Sequence, residues 1–271
     1  MDGKKLVEAL HSGRRVYGTL IISPSPKWIE GIAALDLDCV FIDTEHCPMD
    51  WRDLGWMCHA YRGLGMAPIV RIPSADPFEA CRVLDMGASA IVAAYVETAE
   101  EVRVLSGAVK LRPLKGRKLR DALSGKANLE EKLESYLRNK NEHNALLVNI
   151  ESVPALQALD EILEVPGLDG VLIGPHDLSC SLGIPEEYEH PVMDKTIREI
   201  IRKARAKNVG VGIHNWPFIE QVVQWTRAGM NLILHASDMT LFREALHRDL
   251  NQLREGVGDK AAQKRLDHRA I

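Results

Sequence analysis

Short apolar runs alternate with amphipathic stretches along most of this chain. Eight such runs, most of them rich in Val and Ile, predict buried strands at residues 16–22, 39–42, 69–70, 90–94, 146–150, 171–173, 209–213 and 232–234. Apolar residues recur with helical spacing at residues 28–34, 51–64, 77–86, 99–105, 154–163, 193–207, 217–228 and 239–254. Eight strands alternating with eight helices favour an α/β fold of the closed, parallel (β/α)8 type, a TIM barrel, over an open doubly wound sheet.

We expect one barrel domain over residues 1–255, followed by a polar tail over residues 256–271. Two connections are longer than a barrel requires. Residues 111–144 include an extra amphipathic stretch at 129–137, and residues 178–191 form an excursion that contains Pro and Glu. Long connections in a compact domain usually serve function or form interfaces.

Composition and charge narrow the class of protein. With 271 residues, of which 46% are hydrophobic, the chain can bury a core without disulfides or structural metals. A formal net charge of -4 gives no electrostatic reason to expect a nucleic-acid partner. The basic cluster at residues 110–120 is read as a solvated loop, with an anion contact as the alternative.

Cysteine usage and apolar segments bear on location. The five cysteines are odd in number and form no C-x-x-C pair, which favours a reducing compartment. Residues 1–13 lack the apolar core of a signal peptide, and no stretch is long and apolar enough to predict a membrane span. We therefore expect a cytoplasmic protein without a membrane partner.

Candidate chemistry lies where the predicted strands end, because the active site of a parallel barrel is built at the carboxyl ends of its strands. Polar residues follow five of those strands. In chain order they are Asp43-Thr44-Glu45-His46, Arg71, Asn149 with Glu151, Gly174-Pro175-His176-Asp177, and His214-Asn215.

Glu151 and Asp177 end neighbouring predicted strands, whose axes lie roughly 4.8 Å apart in a sheet. Two carboxylates so placed can bind one cation, and hard oxygen ligands suit Mg²⁺ or Mn²⁺, with Co²⁺ tolerated. The alternative is that each acid caps the helix after it. The occurrence of both acids on adjacent strands favours the metal site.

Two basic side chains complete the candidate set. His46 follows Asp43 by three residues, so the carboxylate is expected to orient the ring as a general base, unless His46 is an ordinary loop histidine. Glu45 either supports that group or is simply exposed. Arg71 either pairs with a barrel acid or holds a substrate carboxylate or oxyanion, and the second reading is favoured beside a cation and a base.

The sixth strand end offers two further features. Gly174 leaves room for a small carboxylate to reach backbone N–H groups, and His176 adds a titratable group beside the metal. The predicted strand ends carry no lysine, which argues against Schiff-base chemistry. Nucleotide-loop, zinc-protease and serine-hydrolase motifs are also missing, so metal-stabilised enolate chemistry remains.

Several segments together resemble a known family over about residues 18–246. They are Gly18-Thr19, Ile42-Asp43-Thr44-Glu45-His46, Val70-Arg71, Leu84-Asp85-Met86-Gly87-Ala88, Val96-Glu97-Thr98, Ile150-Glu151, Gly174-Pro175-His176-Asp177-Leu178-Ser179 and Leu182-Gly183. The chain resembles the metal-dependent pyruvate aldolases of the HpcH/HpaI family, which include the 4-hydroxy-2-oxoheptanedioate and 2-dehydro-3-deoxyglucarate aldolases.

The resemblance implies a (β/α)8 barrel that cleaves 4-hydroxy-2-oxo acids to pyruvate and an aldehyde. Such enzymes are commonly hexamers built from dimers that exchange their last helix. By position, Glu151 and Asp177 would bind the metal, and pyruvate would chelate it through a carboxylate and the keto oxygen. Arg71 would stabilise the enolate, and Asp43 with His46 would move the proton. Asp85 matches an acid that approaches the site from a neighbouring subunit.

The chain also departs from the pattern. Asn149 stands where relatives carry Gln, so a contact to bound pyruvate is lost or bridged by water. Ala94-Tyr95 replaces a Pro-containing end of the fourth strand, while residues 112–118 and 234–238 also differ. These changes leave open two other outcomes of the enolate, oxaloacetate decarboxylation and a citrate-forming condensation, and a barrel that binds a 2-oxo acid without turnover.

Overall fold

In the computed structural model, which describes residues 1–126, 128–214, 216 and 218–260, eight parallel strands close into a barrel in chain order. The strands are β1 (Val16–Leu20), β2 (Cys39–Asp43), β3 (Ala67–Ile72), β4 (Ala90–Ala93), β5 (Ala145–Ile150), β6 (Gly170–Ile173), β7 (Gly210–His214) and β8 (Leu232–Ser237). Each predicted strand is present, and the (β/α)8 prediction is confirmed.

Thirteen helices surround the barrel in the described residues. They are α1 (Gly3–Ser12), α2 (Lys27–Ala33), α3 (Trp51–Gly63), α4 (Pro77–Asp85), α5 (Ala99–Lys110), α6 (Gly116–Leu123), α7 (Glu131–Asn141), α8 (Val153–Gln157), α9 (Leu159–Leu163), α10 (Pro175–Ser181), α11 (Pro191–Ala206), α12 (Ile219–Arg227) and α13 (Asp238–Gly256). The predicted start of the helix at residue 217 lies outside the described residues.

The basic cluster at residues 110–120 is only in part the solvated loop that its Pro and Gly content predicted: residues 111–115 connect two helices, and residues 116–120 belong to α6. It begins at the end of α5 and continues into α6, and four of its cations form ion pairs: Lys110 with Asp169, Arg112 with Asp85, Arg117 with Asp121, and Lys118 with Glu130. Helix α6 buries no residue completely, and its apolar side chains Leu119, Ala122 and Leu123 are only partly buried. The division into residues 1–255 and 256–271 stays a prediction, because residues 261–271 lie outside the described part.

Two hydrophobic layers alternate along each strand. One row of side chains, which includes Phe41, Ile69 and Leu172, fills the barrel, and the other packs against the helices. Two residues beyond Phe41 and Ile69, the inward rows continue with Asp43 and Arg71, which are Cα partners in the β2–β3 register. Polar side chains thus replace apolar ones in the last inward layer, at the carboxyl ends of the strands.

Helix α1 covers the opposite end of the barrel. The buried Asn231 amide donates to the carbonyl oxygens of Ala9 and Leu10, and His11 Nε2 lies 2.9 Å from Oδ1 of the buried Asp169. Structural contacts therefore fill this end of the barrel. The candidate site lies at the other end, where the strands have their carboxyl ends. Among the described residues, no helix is long and apolar enough to span a membrane.

Candidate functional site

Arg71 lies at the centre of the polar layer and is almost completely buried. Its Nε donates to Oδ1 of Asp43 at 2.8 Å and its Nη2 to Oδ2 at 2.6 Å, a bidentate pair that follows from the register of β2 and β3. Burial alone would raise the pKa of Asp43, but the hydrogen bonds and charge of Arg71 outweigh it and hold the pKa below its ordinary value. Arg71 is thus paired with a barrel acid and also lies at the mouth of the barrel, which is the end where the strands have their carboxyl ends.

The expected contact between Asp43 and His46 is corrected by this geometry. Both oxygens of Asp43 are directed at Arg71, and Oδ1 also accepts the N–H of Glu45. Glu45 is the acid beside the histidine instead: its Oε2 lies 3.7 Å from Nε2 of His46 and 3.2 Å from Nε of Arg71. The His46 side chain is nearly half exposed, so the ring reaches the open mouth.

Glu151 is held in place by its two neighbours along the mouth. Its Oε1 accepts the backbone N–H of Tyr95 at 2.9 Å, and its Oε2 accepts Nδ2 of Asn149 at 2.7 Å. Burial raises the pKa of Glu151, and the negative charges of Asp177 and Glu45 add to the effect. A cation at this carboxylate would relieve both contributions.

Gly174 has a different role from the one predicted. A Cβ atom on Gly174 would lie 2.5 Å from Oε2 of Glu151, so the room that the glycine leaves is filled by the carboxylate. Asn149, expected to contact substrate, has its amide N–H₂ directed at Glu151. Both residues therefore act on the position of Glu151.

The structure contradicts the alternative that the two acids cap helices. The N-cap of α8 is Ser152, whose hydroxyl accepts the N–H of Ala155, and the N-cap of α10 is Gly174, which has no side chain to offer. Asp177 lies in the first turn of α10, on the exposed side, and its charge acts on Glu151. His176 is also exposed, and its Nδ1 lies 3.4 Å from the Tyr188 hydroxyl.

Asp85 does not join this cluster within one chain. It is the last residue of α4, and helices of a (β/α)8 barrel run back from the carboxyl ends of the strands to their amino ends. Its side chain is largely exposed and forms an ion pair with Arg112. Within the chain, Asp85 therefore lies at the end of the barrel opposite to Glu151.

Two residues of the site were not assigned a role from the sequence. His214 ends β7, and its Nε2 lies 3.5 Å from Nη1 of Arg71; Tyr95 donates its N–H to Glu151 from a left-handed conformation with φ of 56°. The alternation Gly210, Gly212, His214 points inward and would have signalled the first of them. Asn215, named with His214, lies outside the described residues.

The residues present fit a divalent cation. Four carboxyl groups, those of Asp43, Glu45, Glu151 and Asp177, influence one another around the guanidinium of Arg71, so ionised carboxylates outnumber the one guanidinium charge when all four are deprotonated. Two buried oxygens, Oε2 of Glu45 and Oδ1 of Asn149, accept no hydrogen bond from the residues that the structure describes. The described residues contain no group of three or more His, Cys, Asp or Glu that could hold a metal, and Mg²⁺ is usually held by only one or two carboxylates with water and substrate.

Comparisons with known proteins agree with this chemistry. The sequence profile described as HpcH/HpaI aldolase/citrate lyase matches residues 17–245. The chain is 32% identical over 251 residues to the 2-keto-3-deoxy-L-rhamnonate aldolase of Escherichia coli (strain K12), a match covering 92% of each.

Solved structures are similar over the same length. An HpcH/HpaI aldolase from Desulfitobacterium hafniense DCB-2 is 25% identical with a TM-score of 0.79, covering 92% of this chain and 96% of that one. The citrate synthase SbnG is 27% identical with a TM-score of 0.80, covering 94% of this chain and 99% of that one.

Proposed function

The chain belongs to the HpcH/HpaI aldolase/citrate lyase family, and we propose that it is a divalent-metal-dependent aldolase that cleaves a 4-hydroxy-2-oxo acid to pyruvate and an aldehyde. The observation that carries the proposal is the placement of Glu151, directly after β5, within the electrostatic influence of Asp177, in the first turn of α10, and of the buried Arg71. Each of these residues is available to one part of the reaction.

Glu151 and Asp177 would hold the cation, Mg²⁺ or Mn²⁺ with Co²⁺ accepted, because both present hard carboxylate oxygens. When bound, the cation supplies Lewis-acid polarisation of the keto group of the oxo acid. The pairing of Glu151 with the Tyr95 N–H and the Asn149 amide fixes where that carboxylate points. Asp177, exposed to solvent, completes the pair from α10.

Arg71 stabilises the negative charge that develops on the keto oxygen as the bond between C3 and C4 breaks. Its pairing with Asp43 fixes the guanidinium plane before substrate arrives, so little reorganisation is needed at the moment of reaction. A donor held in this way is worth more than a mobile surface arginine.

His46 accepts the proton of the 4-hydroxyl group as C3–C4 cleavage begins, with the Glu45 carboxylate 3.7 Å from its Nε2. The bonding electrons of C3–C4 pass into the enolate, the hydroxyl carbon becomes the aldehyde carbonyl, and a proton returned to C3 completes pyruvate. Glu45 thereby takes the supporting role that the sequence assigned to Asp43.

We also propose that the chain forms a homo-oligomer, either a hexamer or a trimer of dimers. In the isolated chain, α13 and the residue after it expose an apolar stripe of Met239, Phe242, Leu246, Leu250, Leu253 and Val257. A helix with such a stripe is stabilised by burial against another subunit, and exchange of α13 between partners would provide it. Asp85, exposed at the other end of the barrel, would then be available to a neighbour's site.

A second candidate is a citrate-forming condensation, in which the enolate of acetyl-CoA adds to the keto carbon of oxaloacetate and water then releases CoA from the thioester; the similarity to the citrate synthase SbnG favours it. Incubation with oxaloacetate, with and without acetyl-CoA, separates the candidates by product: pyruvate from decarboxylation alone, or a tricarboxylate that needs the thioester.

We also propose that the protein acts in a reducing compartment, which its five free cysteines support.

The first experiment follows deuterium exchange into the pyruvate methyl group by NMR, with Mg²⁺ or Mn²⁺, with chelator, and with the Glu151→Ala variant. We expect exchange that needs the metal and is lost in the variant, whereas the exposed Glu189→Gln control keeps it. Exchange that is unaffected by Glu151→Ala would contradict the assignment of the site. Retro-aldol assays then begin with 2-keto-3-deoxy-L-rhamnonate, the substrate named for the relative.

A further inference from the structure

One edge of the Arg71 guanidinium is hydrogen-bonded to Asp43, and another edge faces His214. An arginine carries five N–H donors, and two of them, on Nε and Nη2, are taken by Asp43. On the other side, Nη1 lies 3.5 Å from Nε2 of His214. The two remaining N–H groups, one on each Nη, have no acceptor in the part of the chain that the structure describes.

His214 and Arg71 share an aromatic floor inside the barrel. Phe41, one layer below, lies with its ring centroid 5.6 Å from that of His214 and 5.8 Å from Cζ of Arg71. The guanidinium is therefore bounded by Asp43 on one edge, by Phe41 beneath and by His214 on the remaining edge.

The protonation state of His214 follows from its neighbours. Burial lowers the pKa of His214 to about 3, and the positive charge of Arg71 contributes. The ring is therefore neutral at physiological pH. Because a guanidinium cannot accept a hydrogen bond, Nε2 facing it must carry the lone pair and Nδ1 the proton. That Nδ1 is buried and finds no partner among the described residues.

We propose that His214 is a positioning residue for the aldol reaction: its Nε2 accepts a hydrogen bond from Nη1 of Arg71 and, opposite Asp43, fixes the two remaining guanidinium N–H groups toward the substrate oxyanion. The inference rests on the proposed function, because it gives Arg71 the oxyanion. An unpartnered buried Nδ1–H costs stability, and such costs are retained where a side chain serves function.

The resting protein tests the contact without any assay of activity. With ¹³C- and ¹⁵N-labelled histidine, the His214 signals are assigned from their loss in the His214→Gln variant. We expect the neutral Nδ1–H tautomer, which is the minor form of free histidine, unchanged between pH 5 and pH 8. An Nε2–H tautomer, or a titration near the ordinary pKa of 6.5, overturns the proposal.

A double-mutant cycle tests whether His214 acts through Arg71. His214→Leu keeps the volume without a polar atom, His214→Asn carries its amide only as far as Nδ1, and His214→Gln reaches the place of Nε2. For metal-dependent pyruvate exchange we expect kcat to fall on the order of tenfold for Leu and Asn with little change in KM, and recovery to within about threefold for Gln.

When Arg71 is already replaced by Lys, we expect the further change His214→Leu to lower kcat by less than about twofold. An equal loss in both backgrounds, or no recovery with Gln, overturns the proposal. A wild-type protein without metal-dependent exchange contradicts the proposed function instead. In that case the contact between His214 and Arg71 is tested by the tautomer measurement and by the same double-mutant cycle with the urea unfolding midpoint as its readout. Additive effects of the two substitutions on that midpoint would reject the contact.

Discussion

Gly174 lies so close to Glu151 that a Cβ atom on the glycine would stand 2.5 Å from the Oε2 oxygen and 3.0 Å from the Cβ of the glutamate. Gly174 directly follows β6, and Glu151 directly follows β5. The short distance between the two residues is therefore fixed by two neighbouring strands rather than by a mobile loop. The glycine is thus part of the mechanism that places the carboxylate.

Gly174→Ala should displace the Glu151 carboxylate, because the methyl group occupies its position. We expect Mn²⁺ affinity to fall roughly 10- to 100-fold, the range observed when a residue that orients a metal ligand is changed. Titration of free Mn²⁺ followed by EPR measures it. Gly63→Ala is the matched control, since nothing lies within 4 Å of a Cβ there, and it should bind Mn²⁺ as the wild type does.

Asp177→Asn should weaken Mn²⁺ binding at least roughly tenfold and leave the unfolding midpoint nearly unchanged. The carboxylate is exposed and caps no helix, so its loss removes a ligand without exposing a buried partner. The measurements are the same Mn²⁺ titration and a thermal unfolding curve in chelator. Glu189→Gln, another exposed acid on the following loop, should change neither, and unchanged Mn²⁺ affinity in Asp177→Asn would remove this residue from the metal site.

Tyr95→Ala should separate the two halves of the reaction. The Tyr95 ring is 65% exposed, and the charges of Glu45 and Asp177 raise the pKa of its hydroxyl, so the ring lies over the mouth where the aldehyde must enter. The variant keeps the N–H that binds Glu151. We expect pyruvate proton exchange within about twofold of the wild type and kcat/KM for aldol addition reduced about tenfold. Equal losses in both assays would contradict this view. Tyr136→Ala, on α7, is the control.

The ion pair between His11 and Asp169 should make stability depend on pH near neutrality. The hydrogen bond that His11 Nε2 donates to the Asp169 carboxylate raises the pKa of His11 above its ordinary 6.5, although partial burial opposes it. Its contribution to stability is therefore fully present below about pH 6.5 and is lost as the pH rises through the raised value. Urea unfolding at pH 5.5 and pH 9 should show this difference in the wild type, and His11→Gln should lack it. The exposed His143→Gln variant should keep it.

Charges on the exposed stripe of α13 should dissociate the oligomer. Phe242→Asp with Leu246→Asp places two carboxylates in the apolar surface, where burial against a partner would leave them unpaired. Sedimentation velocity should show a smaller species than the wild type. Arg248→Asp, on the opposite face of the same helix, is the control, and an unchanged sedimentation coefficient in the double variant would place the interface elsewhere.

Much of the fold and of the site could be predicted from the sequence. The inward row of a strand is set by alternation, so Asp43, Arg71 and Glu151 could be placed at the mouth from the strand ends alone. The regular spacing of strands and helices was enough for the closed barrel. Three helices lie outside the predicted ranges: α1, α6 and α10. Helix α6 buries no residue completely, and α10 is a short helix of seven residues that begins directly after Gly174.

The details that could not be predicted depend on distances between side chains from different strands. Whether Asp43 would turn toward His46 or toward Arg71 depends on register, and the stronger bidentate pair forms. Gly174 was read as space for substrate because the sequence does not reveal that Glu151 fills it. Asp85 matched a site residue by sequence alone, yet its own chain places it at the far end of the barrel.

The hydrogen bond from the backbone of residue 95 to Glu151 has a consequence for how such a barrel can diversify. A main-chain amide is supplied by every amino acid except proline, so the anchor of the carboxylate is independent of the side chain at this position. The rim can therefore exchange one side chain for another over generations, acquiring new acceptor aldehydes, while the metal carboxylate stays where it is. Residue 95 is a place where specificity can drift without loss of the underlying chemistry.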